Sequence, residues 1–100
     1  MDLVAKRLKA ARKKVGLSQE RLGVLAGIDE ASASARMNQY ERGKHVPDIG
    51  TAQRIADALN VPLAYLYAVG DDEAELLLKF HALSVDGREK VIAFIHGMNA

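Results

Sequence analysis

The segment from residue 16 to residue 44 constrains the fold most, because it reads as two short helices joined by a tight turn. Ser18 is a good N-cap residue, and Leu17 is placed to pack on Leu22 as a hydrophobic staple. Gly27 suits the left-handed conformation that stops a helix. The first of these helices is only about two turns long, so packing against a neighbour must stabilise it.

The second helix of the pair is expected over residues 30–42, with Ala33, Met37 and Tyr40 spaced to form its core stripe. Asp29 is a possible cap for it. A different face of this helix is small and polar, and it carries Ser32, Ala35, Arg36 and Gln39. Small residues allow close approach to a surface, and Arg and Gln hydrogen-bond the edges of bases. We therefore expect this face to be presented to a DNA groove.

Apolar residues at helical spacing predict further helices on both sides of this pair. The first helix is basic and amphipathic, and Asp2 is a possible cap for it. Its core stripe consists of Val4, Leu8, Ala11 and Val15. The core stripe of the second helix consists of Leu22, Leu25 and Ala26. A fourth helix starts at Asp48 or Thr51 with Ile49 on its buried face, and Pro62 opens a short fifth helix that ends at Gly70. No strand alternation is present, so the expected fold class is all-α.

Residues 71–100 are predicted to form a helical tail beyond a domain of residues 1–70. Its acidic start favours a helix N-terminus, and Ser84 is placed to cap a second tail helix. Both tail helices carry apolar stripes. The stripes are consistent with three roles, which stay open here: a homodimer surface, packing back on the domain, or binding of a protein partner.

Composition and charge exclude several classes of protein. Residues 1–60 carry 11 Lys and Arg against 7 Asp and Glu, whereas residues 61–100 carry 3 against 6. A basic front half suits a polyanion such as nucleic acid. The absence of cysteine excludes disulfides and thiolate metal sites. No apolar run approaches the ~20 residues of a membrane span and no signal peptide is evident, so a cytoplasmic location without membrane contact is expected.

No catalytic or metal-binding constellation can be found in the sequence. His45, His81 and His96 lack metal-ligand spacing, and no nucleophile lies in a pattern with a base. We expect no cofactor, no metal and no enzymatic activity.

Two motifs in order carry a resemblance to a known family. The patterns Arg12-x-x-x-Gly16-Leu17-Ser18-Gln19-x-x-Leu22-x-x-x-Ala26-Gly27-Ile28 and Tyr40-Glu41-Arg42-Gly43-Lys44-x-x-Pro47 resemble the Cro/phage-repressor (XRE) helix-turn-helix family, over about residues 3–68. The resemblance implies a five-helix, lambda-repressor-like domain that binds palindromic double-stranded DNA operators as a homodimer. The helix over residues 30–42 would be its recognition helix.

The resemblance also implies roles for individual residues. The family's DNA contacts correspond here to Gln19, Ser34, Ala35, Asn38, Gln39 and Lys44. Its structural ion pair corresponds to Arg12 and Glu41, which is expected to tie the first helix to the third. Ser32 and Arg36 are groove candidates from their position on the helix and not from the family.

One interval departs from the family pattern. Gly27 and Glu41 are 14 positions apart, a longer interval than the family usually has. The surplus of about four residues corresponds to about one helical turn. We expect the recognition helix to gain this turn at its N-terminus; the alternative is a longer turn ahead of a helix of normal length. The roles of residues 32–34 depend on which holds.

The function predicted from these observations is a sequence-specific DNA-binding transcriptional regulator, expected to act as a repressor. The alternative, from a different class, is an antitoxin-like interaction module whose tail holds a toxin and whose DNA binding is autoregulatory.

Overall fold

A computed structural model describes residues 3–98, and these residues form seven helices without any strand. The helices are α1 (Leu3–Val15), α2 (Gln19–Leu25), α3 (Glu30–Glu41), α4 (Ile49–Leu59), α5 (Leu63–Leu66), α6 (Asp71–His81) and α7 (Val85–Met98). The expected all-α fold class is therefore confirmed. Asp2, the expected cap of α1, lies outside the described residues.

The turn between α2 and α3 forms largely as the sequence predicts. The Oγ atom of Ser18 accepts a hydrogen bond from the backbone N–H of Arg21 at 3.0 Å, which caps α2. Gly27 ends the helix at φ +86°, a conformation that side chains with a Cβ rarely adopt. Asp29 occupies the N-cap position of α3, but its side chain makes no capping hydrogen bond.

The surplus residues between Gly27 and Glu41 lie in α3 and not in the turn before it. Only residues 26–29 separate α2 from α3, and α3 runs for 12 residues. The extra helical turn is thus confirmed, and the longer-loop alternative is wrong.

The core is built from the apolar faces of α1 to α5. Leu8, Leu22, Met37, Ile55 and Leu66 have the largest fully buried side chains. Each of the five helices contributes one of them, which explains how a seven-residue α2 and a four-residue α5 are stable.

Three residues expected in the core are instead exposed. Val15 is 52% exposed, Leu25 47% and Ile49 67%. Each is the first or last residue of its helix, so the helical periodicity reaches it but the neighbouring helix that would cover it does not. The sequence pattern was right about the face and wrong about how far burial extends along it.

The connection from α5 to α6 also differs from expectation. Pro62 is the N-cap of α5 and not its first helical residue, and α5 ends at Leu66 rather than at Gly70. Residues 67–70 form a short connection, and Gly70 is the N-cap of α6. We refer to α1–α5 as the head and to α6–α7 as the arm.

The arm extends away from the head. Ala74 of α6 is buried at 3% exposure and Leu78 packs against the core, but no residue of α7 is buried. Arg88 of α7 donates hydrogen bonds to the backbone oxygens of Phe80 at 3.2 Å and His81 at 2.9 Å, which ties α7 to the end of α6. The molecule measures 53 × 27 × 23 Å, and its radius of gyration is 15.1 Å. A compact domain of this length has about 13 Å.

Candidate nucleic-acid interface

The α3 helix exposes a continuous polar face opposite its buried one. Ala33 and Met37 are fully buried. Ser32, Ala35 and Gln39, spaced at i, i+3 and i+7, are exposed in one row along the helix, and Ser34 is exposed beside them. Ser32 and Ala35 have short side chains, whereas the side chain of Gln39 is long. The row could therefore come close to another surface, and Gln39 is its longest side chain.

Arg36 lies at the edge of this row, where its own helix holds it. Its Nη2 atom donates a hydrogen bond to the hydroxyl of Tyr40 at 2.7 Å, and its guanidinium carbon lies 5.8 Å from the centre of the Tyr40 ring. The remaining guanidinium donors stay available to an external acceptor. The contact fixes the direction of the side chain without using all of its hydrogen bonds.

The expected pair of Arg12 and Glu41 is present and structural. Arg12 donates to both carboxylate oxygens of Glu41, from Nε at 2.5 Å and from Nη2 at 3.0 Å, and its Nη1 donates to the backbone oxygen of Leu17 at 2.8 Å. The two side chains are only 12% and 2% exposed. The hydrogen bond to Glu41 raises the pKa of Arg12 above its ordinary value. The bidentate geometry fixes α1, the start of α2 and the end of α3 relative to one another.

Gln19 and Asn38 belong to the same hydrogen-bonded group. The Nε2 atom of Gln19 donates to the Oδ1 atom of Asn38 at 3.3 Å and to Oε1 of Glu41 at 3.1 Å. Both residues are half-buried. These bonds occupy the amide nitrogen of Gln19 and leave its amide oxygen for an external donor. Gln19 is thus held in a fixed position where the start of α2 meets the end of α3.

Lys44 follows the end of α3 and is exposed. Its backbone N–H donates to the backbone oxygen of Gln39 at 3.0 Å, so the lysine is anchored one turn beyond the last polar residue of the row. An exposed cation at this place is suited to a phosphate beside the groove.

Two arginines that were not among the residues expected to contact DNA also lie in this region. Arg42, the C-cap of α3, is exposed and continues the row of Ala35 and Gln39 at helical spacing. Arg54 of α4 donates from Nε to the backbone oxygen of Ala26 at 3.0 Å and so closes the C-terminal end of α2. Periodicity could have revealed Arg42, whereas the bond of Arg54 joins residues 28 positions apart and has no local signal.

The described residues contain no group of histidine, cysteine or carboxylate side chains arranged to hold a metal ion. Within the same part of the chain, none of the helices has the length and apolar character to cross a membrane.

Comparison with known proteins decides the family. The sequence matches the helix-turn-helix family over residues 8–66, which run from Leu8 of α1 to the end of α5. The chain belongs to this family. It is a DNA-binding regulator and not an enzyme, as the two motifs indicated.

A solved structure is similar over nearly the whole chain. The crystal structure of transcriptional regulator BswR matches with a TM-score of 0.87 and 49% sequence identity, covering 93% of this chain and 92% of that one. The similarity therefore includes the arm as well as the head. A search of curated protein sequences found no match.

Proposed function

We propose that this chain is a transcriptional repressor that binds a palindromic operator as a homodimer, with α3 of each copy in the major groove. The observation that carries the proposal is the exposed row of Ser32, Ala35 and Gln39 on a helix whose other face is fully buried. A helix with one rigidly held face and one small polar face fits the geometry of a recognition helix.

The contact residues divide into two kinds. Gln39, Ser32 and Ser34, with Ala35 between them, lie where base edges would be read, because they project from α3 itself. Gln19, Asn38 and Lys44 lie at the ends of the helices, where phosphates would pass. Arg36 is fixed at the rim of the row by Tyr40 and reaches either a base edge or a phosphate.

The second part of the proposal is that the arm joins two copies. Apolar side chains are exposed along α7: Val85 is 74% exposed, Phe94 72% and Met98 70%. On so small a protein such a surface marks a contact with another molecule. A second copy is the occupant that also accounts for operator symmetry, since one head reads a single half-site and a two-fold dimer reads two.

The base-reading part is tested with DNA selected from random duplexes. Gln39→Ala should lose about 1–3 kcal/mol of binding free energy, roughly 5- to 150-fold in affinity, and should relax the preference at one base position of each half-site. Gln53→Ala is the matched control, because Gln53 is an exposed glutamine of the head that bonds only to Asp57 on its own helix. If Gln39→Ala kept both affinity and base preference, α3 would not be the reading helix.

The dimer part is tested by sedimentation velocity on the doubly substituted Ile92→Glu, Phe94→Glu protein. Two charges on the apolar faces of α7 should give a monomer, and the head should stay folded because no residue of α7 is buried. Gln53→Glu, which adds a charge to the head, should remain dimeric. A double variant that stays dimeric would refute the arm as the interface.

The antitoxin-like alternative relies on the same exposed surface. A second small protein that stays bound to the arm through purification, with α7 unavailable to another copy, would favour it over the homodimer. The repressor role itself is tested by placing the selected operator across a promoter, where the protein should lower transcription.

A further inference from the structure

The connection between head and arm is only residues 67–70 long and has no helical structure of its own. The hydrogen bonds within it are short-range turns, from Tyr67 to Ala64 and from Ala68 to Tyr65. Ala74 and Leu78 anchor one side of α6 against the core. Because the connection is short and not helical, the direction of the arm depends on the side chains that contact it.

One side chain of α1 holds this connection at three points. Arg7 donates from Nε to the backbone oxygen of Ala68 at 3.0 Å, from Nη2 to the backbone oxygen of Val69 at 3.3 Å and from Nη1 to Oδ1 of Asp71 at 2.9 Å. The residue is only 6% exposed, and its guanidinium carbon lies 6.0 Å from the centre of the Tyr65 ring.

The chemistry of arginine makes this attachment directional. The guanidinium is planar and presents its donors in a fixed fork, so three bonds to three acceptors set an orientation and not only a distance. The hydrogen bond from Arg7 lowers the pKa of Asp71, helped by the nearby ammonium of Lys6, because both cations favour the charged carboxylate. Asp71 is the first residue of α6, so the bond reaches the arm itself.

All three acceptors lie beyond α5, whereas Arg7 belongs to the head. The contact therefore fixes how the arm leaves the head and adds no link between the helices that form the recognition surface. Lys6 contributes only a long contact of 3.5 Å to the same carboxylate, with both side chains largely exposed, and such surface pairs are worth little.

We infer that Arg7 is a positioning residue that sets the angle between head and arm, and thereby the half-site spacing that the dimeric regulator accepts. This inference rests on the proposed function, in which the arm joins two copies and α3 of each reads DNA. In such a dimer the two recognition helices must lie one helical turn of DNA apart, about 34 Å, or a multiple of that distance.

A small change of angle is enough to matter. The 11 residues of α6 span about 16 Å. A rotation of roughly 12° at the connection moves the far end of such a lever by about 3.4 Å, the rise of one base pair. Loss of the three hydrogen bonds of Arg7 should thus widen the range of half-site spacings that the dimer accepts by at least one base pair.

The angle is tested first without DNA. The chain has no cysteine, so Gln53→Cys in the head and Lys79→Cys in the arm provide two unique positions for spin labels. Labelled protein diluted into an excess of unlabelled protein should give a narrow distance distribution by pulsed electron resonance. Arg7→Met should broaden or shift it, and Lys6→Met, the matched control, should leave it unchanged. An unchanged distribution in Arg7→Met would overturn the inference.

The spacing is then tested with palindromes whose half-sites are moved apart or together by one and two base pairs. The wild-type protein should prefer one spacing by about tenfold or more, and Arg7→Met should reduce that preference to about twofold while remaining dimeric. Arg7→Lys, which keeps the charge and loses the fork, should behave like Arg7→Met. If Arg7→Met fails to fold, Asp71→Ala removes only the exposed end of the contact, and it should show a partial loss of preference.

The outcomes separate the two proposals. A wild-type protein without any spacing preference would refute the dimeric operator and with it the spacing claim. A steep wild-type preference that Arg7→Met or a folded Asp71→Ala leaves intact would overturn only the role of Arg7.

Discussion

A methyl group added at Gly23 of α2 would lie 2.7 Å from the Cβ atom of Ala33 in α3 and 3.0 Å from its backbone oxygen. Real Cβ atoms do not approach one another so closely. The two helices of the DNA-binding motif thus touch at a point where only hydrogen atoms fit between them. The position of the recognition helix depends on this contact.

Gly23→Ala is therefore expected to destabilise the protein even though alanine is the better helix former. Overpacking a tight contact costs about 1–3 kcal/mol, which offsets a gain in helix propensity of about 1 kcal/mol. Because the clash involves the backbone of α3, that helix must shift, and operator affinity should fall as well. Chemical denaturation and DNA titration measure the two effects.

Gly50→Ala is the control for this substitution. A Cβ at Gly50 of α4 meets nothing closer than 3.6 Å. The gain in helix propensity should therefore appear undiminished, as a stabilisation of up to about 1 kcal/mol. A change in the free energy of unfolding in the same direction for both glycine substitutions would mean that the contact with Ala33 does not restrict position 23.

The pair of Arg12 and Glu41 predicts a second, larger effect on stability. Arg12→Met leaves the Glu41 carboxylate, with its side chain 2% exposed, without its cation. Removing one partner of a buried pair costs about 3–5 kcal/mol, whereas replacing both by apolar residues costs far less. The double variant Arg12→Met, Glu41→Leu should thus be more stable than Arg12→Met alone, as measured by urea unfolding.

The same double variant separates stability from function. It removes the acceptor that holds the amide of Gln19, so operator affinity should stay low although the fold is recovered. A double variant no more stable than Arg12→Met would show that the buried charge is not the source of the loss.

The sequence predicts local features of this molecule well. Ser18 caps α2 and Asp48 caps α4, at the positions where the sequence places the starts of these helices. The spacing of Ala33, Met37 and Tyr40 gives the buried face of α3. The pairing of Arg12 with Glu41 was expected from the family resemblance, and the two side chains are in contact in the structure. These features depend on residues within one helix turn or on a motif that has a known geometry.

The features that the sequence did not reveal depend on contacts between distant parts of the chain. Arg7 bonds to residues 61 to 64 positions away, and Arg54 to Ala26 at a separation of 28. In the sequence each is one more cation on an amphipathic helix. The exposure of Val15, Leu25 and Ile49 likewise depends on where the neighbouring helix ends. Helical periodicity contains no information on that.

Asp48 predicts a pH dependence of stability. Its carboxylate accepts a hydrogen bond from the backbone N–H of Thr51 at 2.7 Å, and this bond lowers the pKa of Asp48, with smaller contributions from the charges of Arg54 and Arg36. A group whose pKa is lower in the folded state stabilises the fold above its unfolded pKa, about 3.9. That contribution is lost as the pH falls through the folded value.

The measurement compares wild type with Asp48→Asn, which retains a capping side chain but cannot ionise. The wild-type protein should have the higher melting temperature at pH 7, and the difference should shrink steadily below about pH 4. Ser18→Ala is the control, because it removes a cap that does not titrate, and its effect should be the same at every pH. A constant difference between wild type and Asp48→Asn would contradict the role of the charge.

From the position of Lys44 we predict how the affinity for DNA depends on salt concentration. An exposed ammonium anchored at the end of α3 is placed to neutralise one phosphate, and such a contact releases about one counterion. Lys44→Ala should weaken binding to all sequences alike and reduce the slope of log affinity against log salt by about one. Lys79→Ala, which removes a lysine of the arm that pairs with Glu75, should leave the slope unchanged. Equal slopes for wild type and Lys44→Ala in titrations between low and moderate salt would place Lys44 away from the phosphates. A loss of affinity confined to one operator sequence would mean that Lys44 contacts a base.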